Sequence, residues 1–240
     1  MRLDVALVSR NLYSTRARAV AAIKSGLVTI NGVVAKKPSL DVRDTDVIVG
    51  GELPYSAGRG SLKLQAALDA FNINPMGWVC LDVGASTGGF TDVLLSRGAA
   101  RVIAVDVGTN QLAESLKNDS RVTVMEQTDI RALAPVCSVD LIVVDVSFIS
   151  LTNIMDSLVA WGAPCIIALI KPQFEVSRAV AARYNGVIKS ESERKNAVEN
   201  VLKGFEKIGY KQCGIIESPI RGGSGNVEYL ACWCRVTDEM

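Results

Sequence analysis

The sequence predicts an α/β fold, in which a mostly parallel sheet of the nucleotide-binding type follows a small α+β module. Short apolar runs alternate with helical patterns from residue 79 onward, and two of the first runs end in an acidic residue. A Gly-rich turn follows the first of these runs. Residues 1–50 show a separate pattern of two helices and a hairpin, which indicates a module of their own.

The composition is that of an ordinary globular protein. The 240 residues are 49% hydrophobic and 21% charged, which suffices for one sizeable domain plus a small module. No apolar run approaches the roughly 20 residues of a membrane span. The amino terminus lacks the apolar core of a secretory signal. We therefore expect a cytoplasmic protein with no membrane partner.

Cysteine and histidine usage limits the chemistry. The six cysteines form no C-x-x-C pair and most lie in apolar runs, so we expect core residues in a reducing compartment rather than bridges or zinc ligands. The sequence contains no histidine. A general base must therefore be Lys, Asp, Glu, Tyr or Cys, and we expect no metal. The cysteines are Cys80, Cys137, Cys165, Cys213, Cys232 and Cys234.

Charge is unevenly distributed along the chain. Residues 1–50 contain eight Lys/Arg and four Asp/Glu, a net charge of +4, whereas the other 190 contain eighteen and twenty-one, a net charge of −3. A basic module is thus joined to a mildly acidic one. This asymmetry indicates a handle for a polyanion.

The basic module has its own predicted elements. The spacing of apolar residues predicts helices over residues 3–10 and 15–25, the second with Ser14 as its N-cap. Asn31-Gly32 between two apolar runs predicts a hairpin, and residues 47–49 form a further short strand. Basic side chains lie on the outward face of the second helix.

The ordered spacing of these residues resembles the S4 RNA-binding module. The matching motifs are RLD (2–4), TRARA (15–19), IKSGLV (23–28), ING (30–32) and KP (37–38). The resemblance implies contacts to RNA phosphates, which give affinity and orientation rather than sequence readout. The charges alone leave open a solvated basic helix on an interaction domain. The expected RNA-binding residues are Arg2, Arg16, Arg18, Lys24, Lys36, Lys37 and, from the following linker, Arg59.

A Gly/Pro/Ser-rich stretch without periodicity predicts a linker over residues 51–61. It separates an S4-like domain at 1–50 from a larger domain at 62–240. Tyr55 and Arg59 are either solvated linker residues or contacts to RNA. An amphipathic helix is then predicted over residues 61–71, and it carries Lys63.

The region from Val79 to Asp106 predicts a β-turn-α-β unit. One apolar run ends at Asp82, a Gly-rich turn and a helical run follow, and a second apolar run ends at Asp106. Glycines let the backbone approach a ligand closely. The spacing D-x-G-x-x-x-G-G is not the dinucleotide fingerprint, and it lacks the Gly-Lys-Ser/Thr of a phosphate loop. It resembles the S-adenosylmethionine loop of Rossmann-like methyltransferases; a turn in an unrelated α/β protein is the alternative.

This resemblance implies a set of cofactor-binding residues. Asp106 is placed to accept both hydroxyls of an adenosine ribose. Asp129, just past a predicted strand at 122–125, is placed to accept the adenine amino group, although an N-cap for a short turn explains Asp129 almost as well. The expected set for S-adenosyl-L-methionine is Asp82, Gly84, Ala85, Ser86, Gly88, Gly89, Phe90, Asp106, Val107, Asp129 and Asp145.

Four further strands complete the predicted sheet. The runs at 141–144 and 165–170 are apolar throughout, as in strands buried on both faces. Strands at 211–217 and 227–234 follow, the last of them antiparallel. Helices are predicted over 148–161 and 190–207, and residues 176–190 are predicted to form a loop.

Asp145, Lys171 and Glu228 lie at strand ends on the sheet edge where open α/β sheets bind ligands. With Lys63 they match the Lys-Asp-Lys-Glu tetrad of FtsJ-type 2′-O-ribose methyltransferases. With the S4 module in front, the chain resembles the TlyA-type, or hemolysin-A-like, RNA methyltransferases. Residues 55–64 depart from the usual Ser-Arg-Gly-Gly-Leu-Lys-Leu run of that family. The resemblance rests on DVGASTGGFT (82–91), VDVSFISL (144–151), KPQFE (171–175) and GNVEY (225–229).

The resemblance implies methyl transfer from S-adenosylmethionine to the 2′-oxygen of cytidine in ribosomal RNA, free or within subunits. Lys171 is the expected general base, because the 2′-proton must leave as the bond forms. An ordinary lysine has a pKa of ~10.4, which a neighbouring cation such as Lys63 and desolvation would lower. Asp145 and Glu228 would orient the ammonium groups, and a structural ion pair between Lys171 and Glu228 is the alternative. Two other functions stay open, a catalytically silent RNA-binding assembly factor and a membrane-lysing hemolysin.

Overall fold

A computed structural model describes residues 1–13, 16–51 and 59–236. The chain divides into two compact units between residues 58 and 59. Ser14, Tyr55 and most of the predicted linker lie outside the described residues, as do the side chains of Arg18 and Arg59.

The first unit contains the predicted helices and hairpin. Its elements are α1 (Leu3–Ser9), α2 (Arg16–Lys24), β1 (Val28–Ile30), β2 (Val33–Val34) and β3 (Ile48–Gly50). The three strands pair antiparallel in the order β2-β1-β3. Asn31 and Gly32 both have positive φ, which a tight hairpin turn with the twist of its strands requires. Leu3, Leu7 and Val28 are fully buried in a small core between helices and sheet.

The second unit contains a seven-stranded sheet in the order β6-β5-β4-β7-β8-β10-β9. β10 runs antiparallel to both its neighbours, and the remaining pairs are parallel. The predicted α/β fold with an antiparallel last strand is therefore confirmed. The strands are β4 (Val79–Val83), β5 (Arg101–Val105), β6 (Val122–Met125), β7 (Leu141–Val144), β8 (Cys165–Ile170), β9 (Tyr210–Glu217) and β10 (Tyr229–Arg235).

Seven α-helices accompany this sheet in the described residues, and five of them differ from expectation. α5 is only the end of a helix predicted over residues 110–117, and α7 was not predicted. α3 begins at Arg59, two residues earlier than predicted. The predicted helix over 148–161 is reduced to a 3-10 turn at Leu151–Asn153 and a short α6, since Phe148 has a φ of 64° that no α-helix accepts. α8 lies within the predicted loop, and Ser177 caps it by accepting a bond from the Val180 N–H. The helices are α3 (Arg59–Ala70), α4 (Gly89–Ser96), α5 (Glu114–Lys117), α6 (Met155–Val159), α7 (Pro172–Glu175), α8 (Arg178–Arg183) and α9 (Glu191–Lys207).

The cysteines only partly follow the prediction. Cys80, Cys165 and Cys232 are buried in the sheet, as expected. Cys213 and Cys234, however, are joined by a disulfide, so the expectation that no cysteine forms a bridge is wrong for this pair. The physical reason is the edge position of β9, where buried and exposed residues alternate and the Cys213 side chain faces outward beside β10.

Two further properties concern the helices and the potential metal ligands of the described residues. None of their helices has both the length and the apolar character needed to cross a bilayer. Their His, Cys, Asp and Glu side chains form no group of three that could hold a metal ion.

Candidate active site

A cleft of about 970 Å³ opens beyond the carboxyl ends of β4, β5 and β7. The strand order changes direction at β4, which pairs with β5 on one side and β7 on the other, and such switch points are where open α/β sheets bind ligands. The cleft is at the upper end of the size range of small-molecule pockets. Of the predicted cofactor residues, Gly84, Ser86, Asp106, Val107, Asp129 and Asp145 line it.

The Gly-rich turn between β4 and α4 forms one wall of the cleft. Gly84 has a φ of +84°, and a Cβ there would lie 2.6 Å from the carbonyl oxygen of Asp145. Gly88 has a φ of +97°, and a Cβ there would collide with the side chain of Leu116. Both positions therefore require glycine for backbone conformation and for space. The other predicted cofactor residues of this segment are not part of the cleft lining, namely Asp82, Ala85, Gly88, Gly89 and Phe90.

Asp106 follows β5 directly and stiffens this wall. Its Oδ2 accepts a hydrogen bond of 2.7 Å from the Ser86 N–H, and its Oδ1 accepts one of 2.7 Å from the Gly108 N–H. A carboxylate has about four acceptor positions. Two of them therefore remain for a ligand in the cleft.

Asp82 lies at the end of β4 with a fully buried carboxyl group. Thr91 donates to its Oδ2 at 2.6 Å, while its Oδ1 has no hydrogen-bond partner in the described residues. Burial, opposed by the Thr91 bond, raises the pKa of Asp82 to about 7. A buried acceptor without a donor beside the Gly-rich turn suits a site that is completed by a ligand or a water molecule.

Asp129 has the capping role that was its alternative explanation. Its Oδ1 accepts from the Arg131 N–H at 2.9 Å, and the carboxylate pairs with the Arg131 guanidinium at 2.6 Å. Asp129 also lines the cleft, so its contact to adenine stays a prediction. Glu126 was not predicted to matter, yet it accepts from three consecutive backbone N–H groups of residues 110–112 at 2.7 to 2.9 Å.

The four residues of the tetrad meet at one end of the sheet as two ion pairs. Lys63, Lys171 and Glu228 are buried, whereas Asp145 is half-buried and is the tetrad residue that lines the cleft. Lys63 Nζ lies 2.7 Å from Glu228 Oε2, and Lys171 Nζ lies 2.7 Å from Asp145 Oδ1. Lys63 and Lys171 are each 8% exposed and Glu228 is 3% exposed. In the described residues Lys171 makes no ion pair with Glu228, so the alternative of a structural pair between these two is wrong.

Lys171 has a second hydrogen bond, of 2.8 Å, to the hydroxyl oxygen of Ser147. Its Nζ also lies 5.9 Å from the centre of the Phe174 ring. The ammonium nitrogen is thus held from two sides, by Asp145 and by Ser147. Both residues belong to the segment that follows β7.

Lys63 reaches the site because α3 packs closely on the start of α4. The Ser61 hydroxyl donates to the carbonyl oxygen of Gly89 at 3.1 Å, and a Cβ on Gly89 would lie 3.2 Å from the Ser61 nitrogen. A larger residue at position 89 would push the two helices apart. Gly89, the last glycine of the turn, therefore also serves the placement of Lys63.

Three residues of this region were not predicted as site residues from the sequence. Gln173 donates from Nε2 to Glu228 Oε1 at 3.2 Å. Glu175 accepts from the Ser150 hydroxyl at 2.5 Å and from the Leu151 N–H at 2.9 Å, and burial raises its pKa. Phe148 is 91% exposed at the cleft, with its ring 5.1 Å from that of Phe174. The only signal for them was membership of the quoted motifs, because their partners are distant in sequence.

The predicted RNA-binding residues of the first unit whose side chains are described fall into two groups. Arg2 and Arg16 both pair with the buried carboxylate of Asp4, at 3.0 and 2.7 Å, and they hold its pKa well below the usual range. Lys24, Lys36 and Lys37 are exposed and form no ion pair in the described residues. These three lysines are therefore less constrained by protein contacts than Arg2 and Arg16.

Comparison with known proteins identifies both units. The FtsJ-like methyltransferase profile matches residues 57–235, and the S4 domain profile matches residues 1–48. The chain is 44% identical to the 16S/23S rRNA (cytidine-2′-O)-methyltransferase TlyA of Mycobacterium tuberculosis, over 98% of this chain and 89% of that protein. It is 37% identical to Hemolysin A of Brachyspira hyodysenteriae, over 96% and 98%.

The solved structures agree. A Streptococcus thermophilus protein provisionally named a hemolysin superposes with a TM-score of 0.73 at 39% identity, over 99% of this chain and 89% of that one. The matches extend over nearly the whole chain and include both units. The chain therefore belongs to the FtsJ-like methyltransferase family and has an S4 domain at its N-terminal end.

Proposed function

We propose that this protein transfers a methyl group from S-adenosyl-L-methionine to a ribose 2′-oxygen of ribosomal RNA, with cytidine as the target nucleotide. The observation that carries the proposal is the pair of bonds from Lys171 to Asp145 and Ser147. The Mycobacterium tuberculosis relative is named for cytidine 2′-O-methylation of both rRNAs. A ribosomal RNA or subunit substrate would place the protein in the cytoplasm.

The cleft fits the proposed cofactor. Gly84 and Gly88 allow the tight turn that forms one wall of the cleft, Asp106 keeps two acceptor positions, and the buried Oδ1 of Asp82 has no partner in the described residues. We assign Asp106 to the ribose hydroxyls and the Gly84–Gly89 turn to the methionine portion. When bound, S-adenosylmethionine supplies an electrophilic methyl group on a sulfonium.

Lys171 is suited to remove the 2′-proton. The ion pair with Asp145 is formed by the ammonium, which has no lone pair, so Lys171 must first lose one proton to solvent before it can act as a base. The neutral amine then keeps its two N–H groups for the Asp145 carboxylate and the Ser147 hydroxyl. The third direction of the nitrogen is then left for the lone pair. In the proposed step the 2′-oxygen bonds to the methyl carbon, the sulfur–carbon bond breaks, and the proton passes to Lys171.

The second ion pair and the aromatic residues would hold the RNA. Lys63 and Glu228 are desolvated, Glu228 is bonded to the cleft residue Gln173, and the pair would orient the target ribose. Phe148 presents an exposed ring next to Phe174, and aromatic rings stack on unpaired bases in RNA recognition. The left-handed backbone of Phe148 is strained for a bulky residue, and such strain clusters at binding sites.

The proposed function is tested with purified protein, methyl-labelled S-adenosylmethionine, and three substrates: free rRNA, small subunits and large subunits. We expect label in at least one rRNA at a nucleotide that becomes resistant to alkaline cleavage, as a 2′-O-methyl group requires. A Lys171→Ala variant is the control. Label on a base, or none on any substrate, would contradict the proposal; leakage from liposomes with the same protein would instead support a membrane-lysing activity.

Changing Asp106 to Ala is expected to weaken S-adenosylmethionine binding at least tenfold. The change removes the proposed ribose acceptor and frees the N–H groups of Ser86 and Gly108. Calorimetric titration with the cofactor measures the effect. Asp129→Ala is the matched control: it loses a cap and the proposed adenine contact, so a smaller loss is expected. Unaltered affinity in the Asp106 variant would remove this residue from the cofactor site.

Replacing Lys24, Lys36 and Lys37 together by Ala is expected to weaken RNA binding and to flatten its salt dependence. Each lysine that neutralises a phosphate adds about one unit to the slope of log affinity against log salt, so a loss of up to about three units is expected. Alanine at Lys195, Lys203 and Lys207, all on α9, is the control. An unchanged slope in the first triple variant would mean that these lysines do not touch RNA.

A further inference from the structure

The carboxylate of Glu228 is almost completely enclosed, and its surroundings determine what it can do. Its Oε2 accepts from Lys63 and its Oε1 accepts from Gln173, the only side-chain donors it has in the described residues. A Cβ on Gly222 would collide with Oε1, so Gly222 leaves room for this oxygen and no other side chain fits there. Glu228 therefore depends on one charged and one neutral donor.

The orientation of the Gln173 amide follows from this arrangement. An ionised carboxylate only accepts hydrogen bonds, so the NH₂ group of Gln173 must face Glu228. The carbonyl Oε1 of Gln173 then points elsewhere, and it is a buried atom with no partner in the described residues. An unpaired buried acceptor is unfavourable. The bond from Gln173 to Glu228 is therefore made although it leaves the Gln173 carbonyl oxygen unpaired in the described residues.

The position of Gln173 in the chain connects the two ion pairs. It lies on α7, two residues after Lys171, and its side chain reaches Glu228, the partner of Lys63. Lys171 itself is bound to Asp145. The charged groups of this region are therefore Lys63 on α3, Glu228 before β10, Lys171 and Glu175 on either side of Gln173, and Asp145 after β7.

From these contacts we propose that Gln173 is a positioning residue of the methyl-transfer site, which holds the Glu228 carboxylate through a neutral N–H donor. The inference rests on the proposed 2′-O-methyl transfer. A neutral donor fixes the direction of the carboxylate without competing with Lys63 for its charge. Without it, Oε1 of Glu228 loses its donor and the Lys63–Glu228 pair loses its fixed geometry.

Gln173→Glu distinguishes a positioning role from a merely structural one. A protonated glutamic acid has the shape of glutamine and can donate its O–H to Glu228, whereas an ionised one places a second negative charge beside it. Burial and the Glu228 carboxylate raise the pKa of the new acid, while the opposing cations Lys63 and Lys171 are already paired with Glu228 and Asp145. We expect the ratio of wild-type to variant single-turnover rates to rise at least tenfold between pH 6 and pH 9.

Gln173→Leu removes the donor and introduces no titrating group. Its single-turnover rate is expected to fall at least tenfold by a factor that is constant with pH, while affinities for cofactor and RNA change less than threefold. Gln173→Asn, whose amide is too short to reach, is expected to resemble the Leu variant. Gln212→Glu on β9 controls for added charge and is expected to keep the wild-type profile.

Urea unfolding tests the role of Gln173 independently of methyl transfer. Because the new acid has a raised pKa in the folded state, the Gln173→Glu variant should lose stability relative to Gln173→Leu as pH rises, and urea unfolding at pH 6 and pH 9 measures this. No transfer by the wild type would refute the proposed function alone. A pH-independent ratio for the Glu variant with normal rates for the Leu variant, or no pH-dependent difference in unfolding, would overturn the role of Gln173.

Discussion

Replacing Lys171 by arginine is expected to abolish methyl transfer almost as completely as replacing it by alanine. Arginine keeps the positive charge and can still pair with Asp145, but it stays protonated in proteins and offers no lone pair. Loss of a general base lowers the chemical step by about 10²–10⁴-fold. Single-turnover transfer at saturating RNA and cofactor measures this step apart from binding.

The control for this prediction is Lys203→Arg on the exposed face of α9, which should transfer at the wild-type rate. Both Lys171 variants should keep their affinity for RNA and cofactor. If Lys171 only neutralises Asp145, the arginine variant retains most of its activity. A near-normal rate in that variant would exclude proton removal by Lys171.

The strands were the most predictable part of the fold. Apolar runs such as those at β7 and β8 are buried on both faces. The two ends of such a run mark the two ends of the strand. The acids and the lysine that follow strands were also found, because the carboxyl ends of parallel strands meet at one edge. Local patterns alone therefore predict that Asp106, Asp145 and Lys171 lie at this edge.

Short helices and side-chain pairings were less predictable. α8 depends on the Ser177 cap and has no buried face, so hydrophobic periodicity did not reveal it. The choice of Asp145 rather than Glu228 as the partner of Lys171 is a matter of tertiary geometry, as is the bond from Gln173 to Glu228. No spacing in the sequence encodes the direction of these side chains.

The disulfide illustrates the same limit. Cys213 and Cys234 both lie in apolar stretches, and composition favoured burial for each. Their side chains face outward because β9 is the edge strand of the sheet, and the pairing of β9 with β10 brings them together. Strand order and register decide this contact, and neither can be read from cysteine spacing.

Substitutions should separate the contribution of the Lys63–Glu228 pair to stability from its contribution to methyl transfer. Lys63→Met leaves a buried carboxylate without its cation, and Glu228→Gln leaves a buried ammonium without its anion. Removing one partner of a buried ion pair destabilises a protein by about 3–5 kcal/mol. The double variant Lys63→Met/Glu228→Gln removes both charges, and Gln173 can still donate to the new amide oxygen.

We therefore expect the double variant to recover most of the lost stability and none of the methyl transfer. Urea unfolding of the two single variants and the double variant gives the coupling between the residues, and single-turnover assays of the same proteins give the chemistry. Lys195→Met paired with Glu191→Gln, an exposed pair on α9 with a 2.7 Å contact, is the control and should change stability by less than about 1 kcal/mol. If the double variant transfers methyl groups at a near-normal rate, the pair only supports the fold, and Lys171 with Asp145 must perform the chemistry alone.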